Sequence, residues 1–323
     1  MKLDLKDRKL LYWLDQNSRM TNKKLGKKVG LSEQAIGYKL KRLEEERVIK
    51  KYVAFVNTLA LGYSHYKVLL RLHNTNVKKE GEIIAFLVKN ENVRWVVSCS
   101  GKWDINFSVL ALNAEDFTKI YREIEKKIGE YIGEKSVSVL IKSPGLTKGY
   151  LLGHSGDKIR LYGEKDIHKE LDLTDKKILK SISQNSRKNV VEIAEEIRST
   201  VDIVRYRLKK LEESGIINGY TIYLGFNKIG ILRYSVFFGL HKMSDEVEKR
   251  MFEFAMKQNN IVFMLTMVGT YDLSLEFEVP SYQILESIIK KFREEFADNI
   301  HDFEIIFNTE EYKYDFYPFE PTE

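Results

Sequence analysis

Apolar residues recur along the first 50 positions with helical spacing. Leu10, Leu11 and Leu14 mark one short amphipathic helix, and Leu25 with Val29 marks a second. A turn at Gly30 follows. Ser32 stands where it would cap a third helix, whose Ile36, Leu40 and Leu43 recur at intervals of four and three and share one face. Three short helices around a glycine turn make a helix-turn-helix pattern, although any small helical bundle gives the same spacing. Beyond Tyr52 the period changes. Val53 with Phe55, and Val68 to Leu72, read as strands, Glu80 to Asn90 as a helix, Val93 to Ser100 and Ile105 to Ala111 as two strands, Glu115 to Ile128 as a helix and Ser136 to Lys142 as a last strand. That order, βαββαβ, is ferredoxin-like.

The pattern occurs twice. LDLKDRKLLYWLDQNSR from Leu3 returns as LDLTDKKILKSISQNSR from Leu171, an offset of 168 residues, and 18 of the 50 positions from 3 to 52 are identical in that frame. The frame holds further on, pairing Gly62 with Gly230, His73 with His241, and GKWD at Gly101 to Asp104 with GTYD at Gly269 to Asp272. In the second copy the strands and helices fall at Tyr234 to Leu240, Glu246 to Asn259, Ile261 to Val268, Leu273 to Val279, Gln283 to Phe296 and Asp302 to Asn308. The chain therefore divides into a helical head at 1–60, a βαββαβ unit at 61–142, a connector at 143–170, a second head at 171–228 and a second βαββαβ unit at 229–323. In the connector, YLLG and IRLYG flank His154 to Asp157 as a hairpin would. The fold class is α+β, a tandem repeat of a head and a ferredoxin-like domain.

Composition narrows the function. One cysteine, Cys99, makes no disulfide framework and no zinc site, and suits a reducing cytoplasm. No apolar run reaches the roughly 20 residues that span a bilayer, and the N-terminus lacks the apolar core of a signal peptide, so no membrane association is expected. The net charge of +6 is unevenly spread. Residues 1–60 hold 15 basic and 7 acidic side chains, whereas 229–323 hold 9 and 18. A basic N-terminal block attracts polyanions and an acidic C-terminal block repels them.

LDLKDRKLL, the QNSR tetrad, VGLSEQAI, KRLEEERVI and a GxxD turn within βαββαβ together resemble the Lrp/AsnC family of prokaryotic transcription regulators. The resemblance covers about 300 of the 323 residues and looks like two family members fused in one chain, an arrangement most like archaeal versions. It implies winged helix-turn-helix heads that bind double-stranded DNA, and ligand-binding RAM (ACT-like) domains whose sheets pair. Pairing would occur across chains in a homo-oligomer or within one chain as a pseudo-dimer. By position in the motif, Ser32, Gln34, Gly37, Tyr38 and Lys41 form the DNA-reading face of the first head, with Lys23, Lys24, Lys27 and Lys28 beside the phosphates. Gln suits adenine, and glycine allows close backbone approach. In the second head RSTVDIV replaces GLSEQAI, so the face carries Ser199, Asp202, Arg205, Tyr206 and Lys209. Arg205 suits guanine, but Asp202 repels phosphate, so unequal heads are expected, the first being stronger.

The resemblance also implies a small effector, such as an amino acid, at the GxxD turns, through Gly101, Asp104, Gly269 and Asp272. Glycine and aspartate are equally ordinary hairpin residues. No HExxH, P-loop, GxGxxG or Ser-His-Asp set supports an enzyme, and no cofactor or metal is expected. Two other readings stay open. The same architecture resembles fused siroheme decarboxylases, which would need His73 or His241, with partners such as Arg71, to face a cavity. An interaction scaffold that has lost DNA binding would fit the acidic second half.

Overall fold

The computed structural model describes residues 2–153 and 171–321, so the hairpin expected around His154 to Asp157 lies outside the described residues. Unit one runs α1 (Leu5–Gln16), α2 (Asn22–Val29), α3 (Glu33–Glu45), β1 (Ile49–Val56), β2 (Ser64–Leu72), α4 (Val77–Lys89), β3 (Val93–Ser100), β4 (Ile105–Ala111), α5 (Ala114–Ile128) and β5 (Ile132–Lys142). Unit two runs α6 (Leu173–Gln184), α7 (Val190–Ile197), α8 (Val201–Glu213), β6 (Ile217–Leu224), the single turn α9 (Phe226–Ile229), β7 (Leu232–Leu240), α10 (Asp245–Lys257), β8 (Ile261–Gly269), β9 (Leu273–Val279), α11 (Tyr282–Glu295) and β10 (Ile300–Tyr314). The chain is thus an α+β protein with the repeated order that periodicity predicts.

Side chains with short polar groups start the head helices. Asp4 caps α1 in a reciprocal capping box with Asp7, Thr21 caps α2, and Ser32 takes the N–H of Ala35 at the start of α3. The apolar stripe expected from spacing is buried, since Leu10, Leu11, Leu14, Leu25, Val29, Ile36 and Leu43 are all at most 1% exposed. Asp7, itself buried, accepts from Lys39 Nζ at 2.8 Å and Arg42 Nη2 at 2.6 Å, tying α3 to α1. Arg207 does the same in unit two, reaching Asp172 and Asp175.

The heads are not separate bodies. β1 pairs antiparallel with β6 of the other unit, with Tyr52 opposite Ile222 and Val53 opposite Thr221. Ile222 and Leu224 of β6 complete the core of head one, while Val53, Phe55 and Val56 of β1 complete that of head two. Neither head buries its apolar face without the other unit's strand.

The two βαββαβ sheets close into one eight-stranded barrel in the order β10, β3, β4, β2, β5, β8, β9, β7. Two equivalent seams, β5 with β8 and β10 with β3, join the units, so every strand of the barrel has two neighbours and no open edge remains. Alternation decides what faces where. On β2, Val68 and Leu70 turn outward beneath α4 and α5, whereas Lys67 turns inward. Buried Ser98, Asn106, Ser108, Ser136, Ser138, Ser235, Ser274 and Asn308, with Glu276 half-buried beside them, make this interior polar. β10 runs past the expected Asp302 to Asn308 as far as Tyr314, because its second half leaves β7 and pairs with β3. The aromatic tail then folds back, with Phe316 and Tyr317 buried against the head-two core.

Candidate nucleic-acid interface

Head one presents a basic helix beside an open recognition face. Lys23, Lys24, Lys27 and Lys28 are all exposed along α2, with Lys28 Nζ 4.2 Å from the centre of the Trp13 ring. On α3, Gln34, Tyr38 and Lys41 are exposed on one side, Tyr38 at 74%. Ser32 is exposed as the cap, and Gly37 is half-buried, with only the Asn22 amide within 4 Å of where a Cβ would stand. Lys39 and Arg42, on the same helix, are spent on Asp7.

Head two differs in charge more than its recognition helix alone suggests. α7 carries Glu192, Glu195 and Glu196 at the positions that hold Lys24, Lys27 and Lys28 in α2. Glu196 is bonded to Ser181 and Lys188, and Glu192 closes the capping box with Asn189. On α8, Arg205 is held by Asp202 at 2.7 Å one turn earlier, so the candidate guanine reader already has an acidic partner. Tyr206 is exposed at 61%, and Lys209 lies 3.6 Å from Glu213. Ser199 does not stand on the recognition face. It is half-buried in the turn after Arg198, whose φ of 56° replaces the left-handed Gly30, and the cap that accepts from Ile203 N is its neighbour Thr200. Thr200 and the α7 glutamates were absent from the expected site, though the 168-residue frame aligns them with Ser32 and the α2 lysines.

The QNSR tetrads hold the heads together. Ser18 Oγ and Ser186 Oγ meet at 2.8 Å. Arg19 donates to the carbonyls of Ser186 and Lys188, and Arg187 donates to those of Ser18 and Met20 and to Asn22 Oδ1. Each arginine thus braces the start of the other unit's second helix, fixing one head against the other across a pseudo-two-fold axis.

The GxxD turns serve the barrel seams. Asp104 accepts the N–H of Leu72 and Asp272 that of Leu240, both at 2.7 Å. Gly101 and Gly269 have φ of 130° and 145°, and a Cβ on Gly269 would stand 2.5 Å from Val137 O. Between them Trp103 Nε1 donates to Tyr271 Oη across the axis. The expectation that Gly101, Asp104, Gly269 and Asp272 receive an effector therefore meets carboxylates already committed to backbone donors, and none of the four lines the cavity found at the axis. His73 and His241 are exposed at strand ends and do not line it either.

The histidine that does line it, His65, was not anticipated. Burial, then the charges of Arg94 and Lys67, hold its imidazole well below the ordinary histidine range, so it is neutral when folded. Unfolded, it would titrate near 6.5. Its contribution is thus fully present above that pH and is lost as pH falls below it, because the unfolded chain then binds the extra proton. The difference in stability between the parent and His65→Gln should change by up to about 1.4 kcal/mol per pH unit between roughly pH 6.5 and 5. Urea unfolding of both proteins at several pH values checks it; a constant difference would contradict a neutral His65.

The model of the AsnC-type helix-turn-helix domain matches residues 3–44, and one of winged helix-turn-helix DNA-binding domains matches 171–218. The chain is 32% identical over 114 residues to the HTH-type transcriptional regulator FL11 of Pyrococcus abyssi, which covers 35% of this chain and 74% of that protein. It is 32% identical over 135 residues to the HTH-type transcriptional regulator LrpA of Pyrococcus horikoshii, covering 42% and 92%. Among solved structures, the siroheme decarboxylase NirDL shares the fold across 97% of this chain and 93% of its own, with a TM-score of 0.62 at 14% identity.

Proposed function

From the premise that this chain belongs to the Lrp/AsnC family of helix-turn-helix transcription regulators, which bind DNA, we propose that it acts as a self-contained pseudo-dimer with one strong and one weak reading head. The carrying observation is the opposition of α2 and α7: exposed lysines on the first stand where glutamates stand on the second. A phosphate backbone favours the first and is repelled by the second. Gln34, Tyr38 and Lys41 then read base edges, while Asp202, Arg205, Tyr206 and Lys209 form a face whose arginine is already neutralised. Closed seams and braced heads support function without a second copy, since no barrel edge is left for one.

Unequal heads select an asymmetric operator. Base-edge contacts are each worth about 1–3 kcal/mol, so Lys41→Ala should weaken binding to a selected site by roughly tenfold, and Arg205→Ala by less than about threefold. Site selection from random duplexes followed by titration of both variants measures this. Equal losses, or a perfectly palindromic selected site, would sink the reading.

A second reading rests on the likeness to NirDL over nearly the whole chain. That likeness, at 14% identity, is one of fold. A cavity of about 130 Å³ is small beside the roughly 300–1,000 Å³ that drug-sized ligands need, and a porphyrin is larger still. Three of its cations, Lys67, Lys148 and Arg233, are also paired with carboxylates. Mixing the protein with siroheme and following the absorption spectrum separates the two readings, since the regulator reading expects no change.

A further inference from the structure

The axial cavity, of about 130 Å³, opens between the β1–β6 sheet and the end of the barrel. Positions related by the 168-residue repeat line it from both sides: Phe55 with Tyr223, Trp95 with Phe263, and His65 with Arg233. It therefore straddles the pseudo-two-fold axis. The charges in it do not follow that symmetry. Lys67 is paired with Glu276 at 2.7 Å, Lys148 with Glu278 at 2.5 Å, and Arg233 with Glu311. In the repeat frame Lys67 stands opposite Ser235, Glu276 opposite Ser108, and Glu311 opposite Ser143. Two identical units could not make these pairs without also setting each charge against its own copy. The fused chain has specialised the two halves of one cavity separately.

Stability does not account for such an arrangement. Buried ion pairs add little to stability compared with apolar groups of the same volume, and a void of this size is a standing cost. A ligand that fills the space is the account that fits, and the walls limit its chemistry. Phe55, Trp95, Tyr223, Phe226, Phe263 and Phe316 supply aromatic surface. The charged groups already have partners. Besides the three ion pairs, Asp15 accepts from the Thr221 hydroxyl and the Lys148 N–H, Asp315 accepts from Tyr317 N, and the Arg94 guanidinium lies 4.1 Å from the centre of the Phe316 ring. A ligand bringing its own ionic group would have to displace one of these partners and give up its hydration between aromatic walls. A space of about 130 Å³ has room for a benzene-sized ring.

We propose that this axial cavity binds a small uncharged aromatic molecule that carries at most a hydroxyl or a ring N–H. The site is separate from the recognition helices, so the proposal stands apart from the DNA-binding reading.

Isothermal titration of the full chain with four probes of one body tests it: 2-phenylethanol, phenethylamine, 3-phenylpropionate and L-phenylalanine. The neutral alcohol should bind at least about tenfold more tightly than each of the other three, given what an unpaired buried charge costs. Any of the three matching it, or no heat with the alcohol up to about 10 mM, overturns the proposal. Trp95→Ala, at the half-buried rim, should weaken the alcohol by about fivefold or more. Leu140→Trp, which fills the space from β5, serves as a second variant and should abolish binding. Unchanged affinity in a folded variant would place the ligand elsewhere and defeat the assignment.

Discussion

Replacing Lys23, Lys24, Lys27 and Lys28 together by alanine should weaken DNA binding about 10²–10³-fold at roughly 0.1 M salt. All four are exposed on α2, and alanine is the best helix former, so the helix should persist and circular dichroism should be unchanged. Each phosphate contact contributes about 0.9 to the slope of log affinity against log salt, so the slope should flatten by up to about 3.6. The reciprocal change is informative too. Glu195→Lys on α7 occupies the position of Lys27, is exposed, and should strengthen binding a few-fold and steepen the slope by about one if head two lies over phosphates. Fluorescence anisotropy over a salt series measures both. A slope unmoved by the fourfold change would remove head one from the DNA and favour an interaction scaffold.

Elements and repeat were legible because their signals are local. The three-and-four spacing of Ile36, Leu40 and Leu43 needs only the α3 segment itself, and all three are buried as expected. Partnership was not legible. Nothing in the spacing of Ile222 or Leu224 says that they belong to the core of head one, because a strand's alternation shows that one side is buried without saying against which unit. QNSR was visible as a repeated tetrad. Its physical reason, two arginines bracing opposite heads, requires the axis that brings Ser18 to Ser186. The cavity was hidden for a related reason. Its ion pairs join residues 78 or more positions apart, and each appears in the sequence as an ordinary charged residue. Ser199 stands at the position of Leu31 in the repeat frame, one residue before the cap, and the backbone follows that frame, with Thr200 capping α8 as Ser32 caps α3.

Trp103→Ala should destabilise the chain by about 3–5 kcal/mol, among the largest single effects available, because the side chain is 1% exposed and leaves a large void. Its position gives the loss a second consequence. Trp103 lies in the GKWD turn and meets Tyr271 of the GTYD turn, so it joins the two seams that close the barrel. Tyr271→Phe removes the hydroxyl that accepts from Trp103 Nε1 and donates to the half-buried Glu304, at a cost of about 1–3 kcal/mol, chiefly for the buried indole N–H left behind. If the two residues act as one seam, the double variant Trp103→Ala with Tyr271→Phe should fall short of the summed losses by about 0.5 kcal/mol or more in chemical denaturation. Strict additivity would mean that each turn stabilises only its own half. The barrel would then be two independent sheets in contact, and a ligand at the axis would have no shared seam through which to act on both heads.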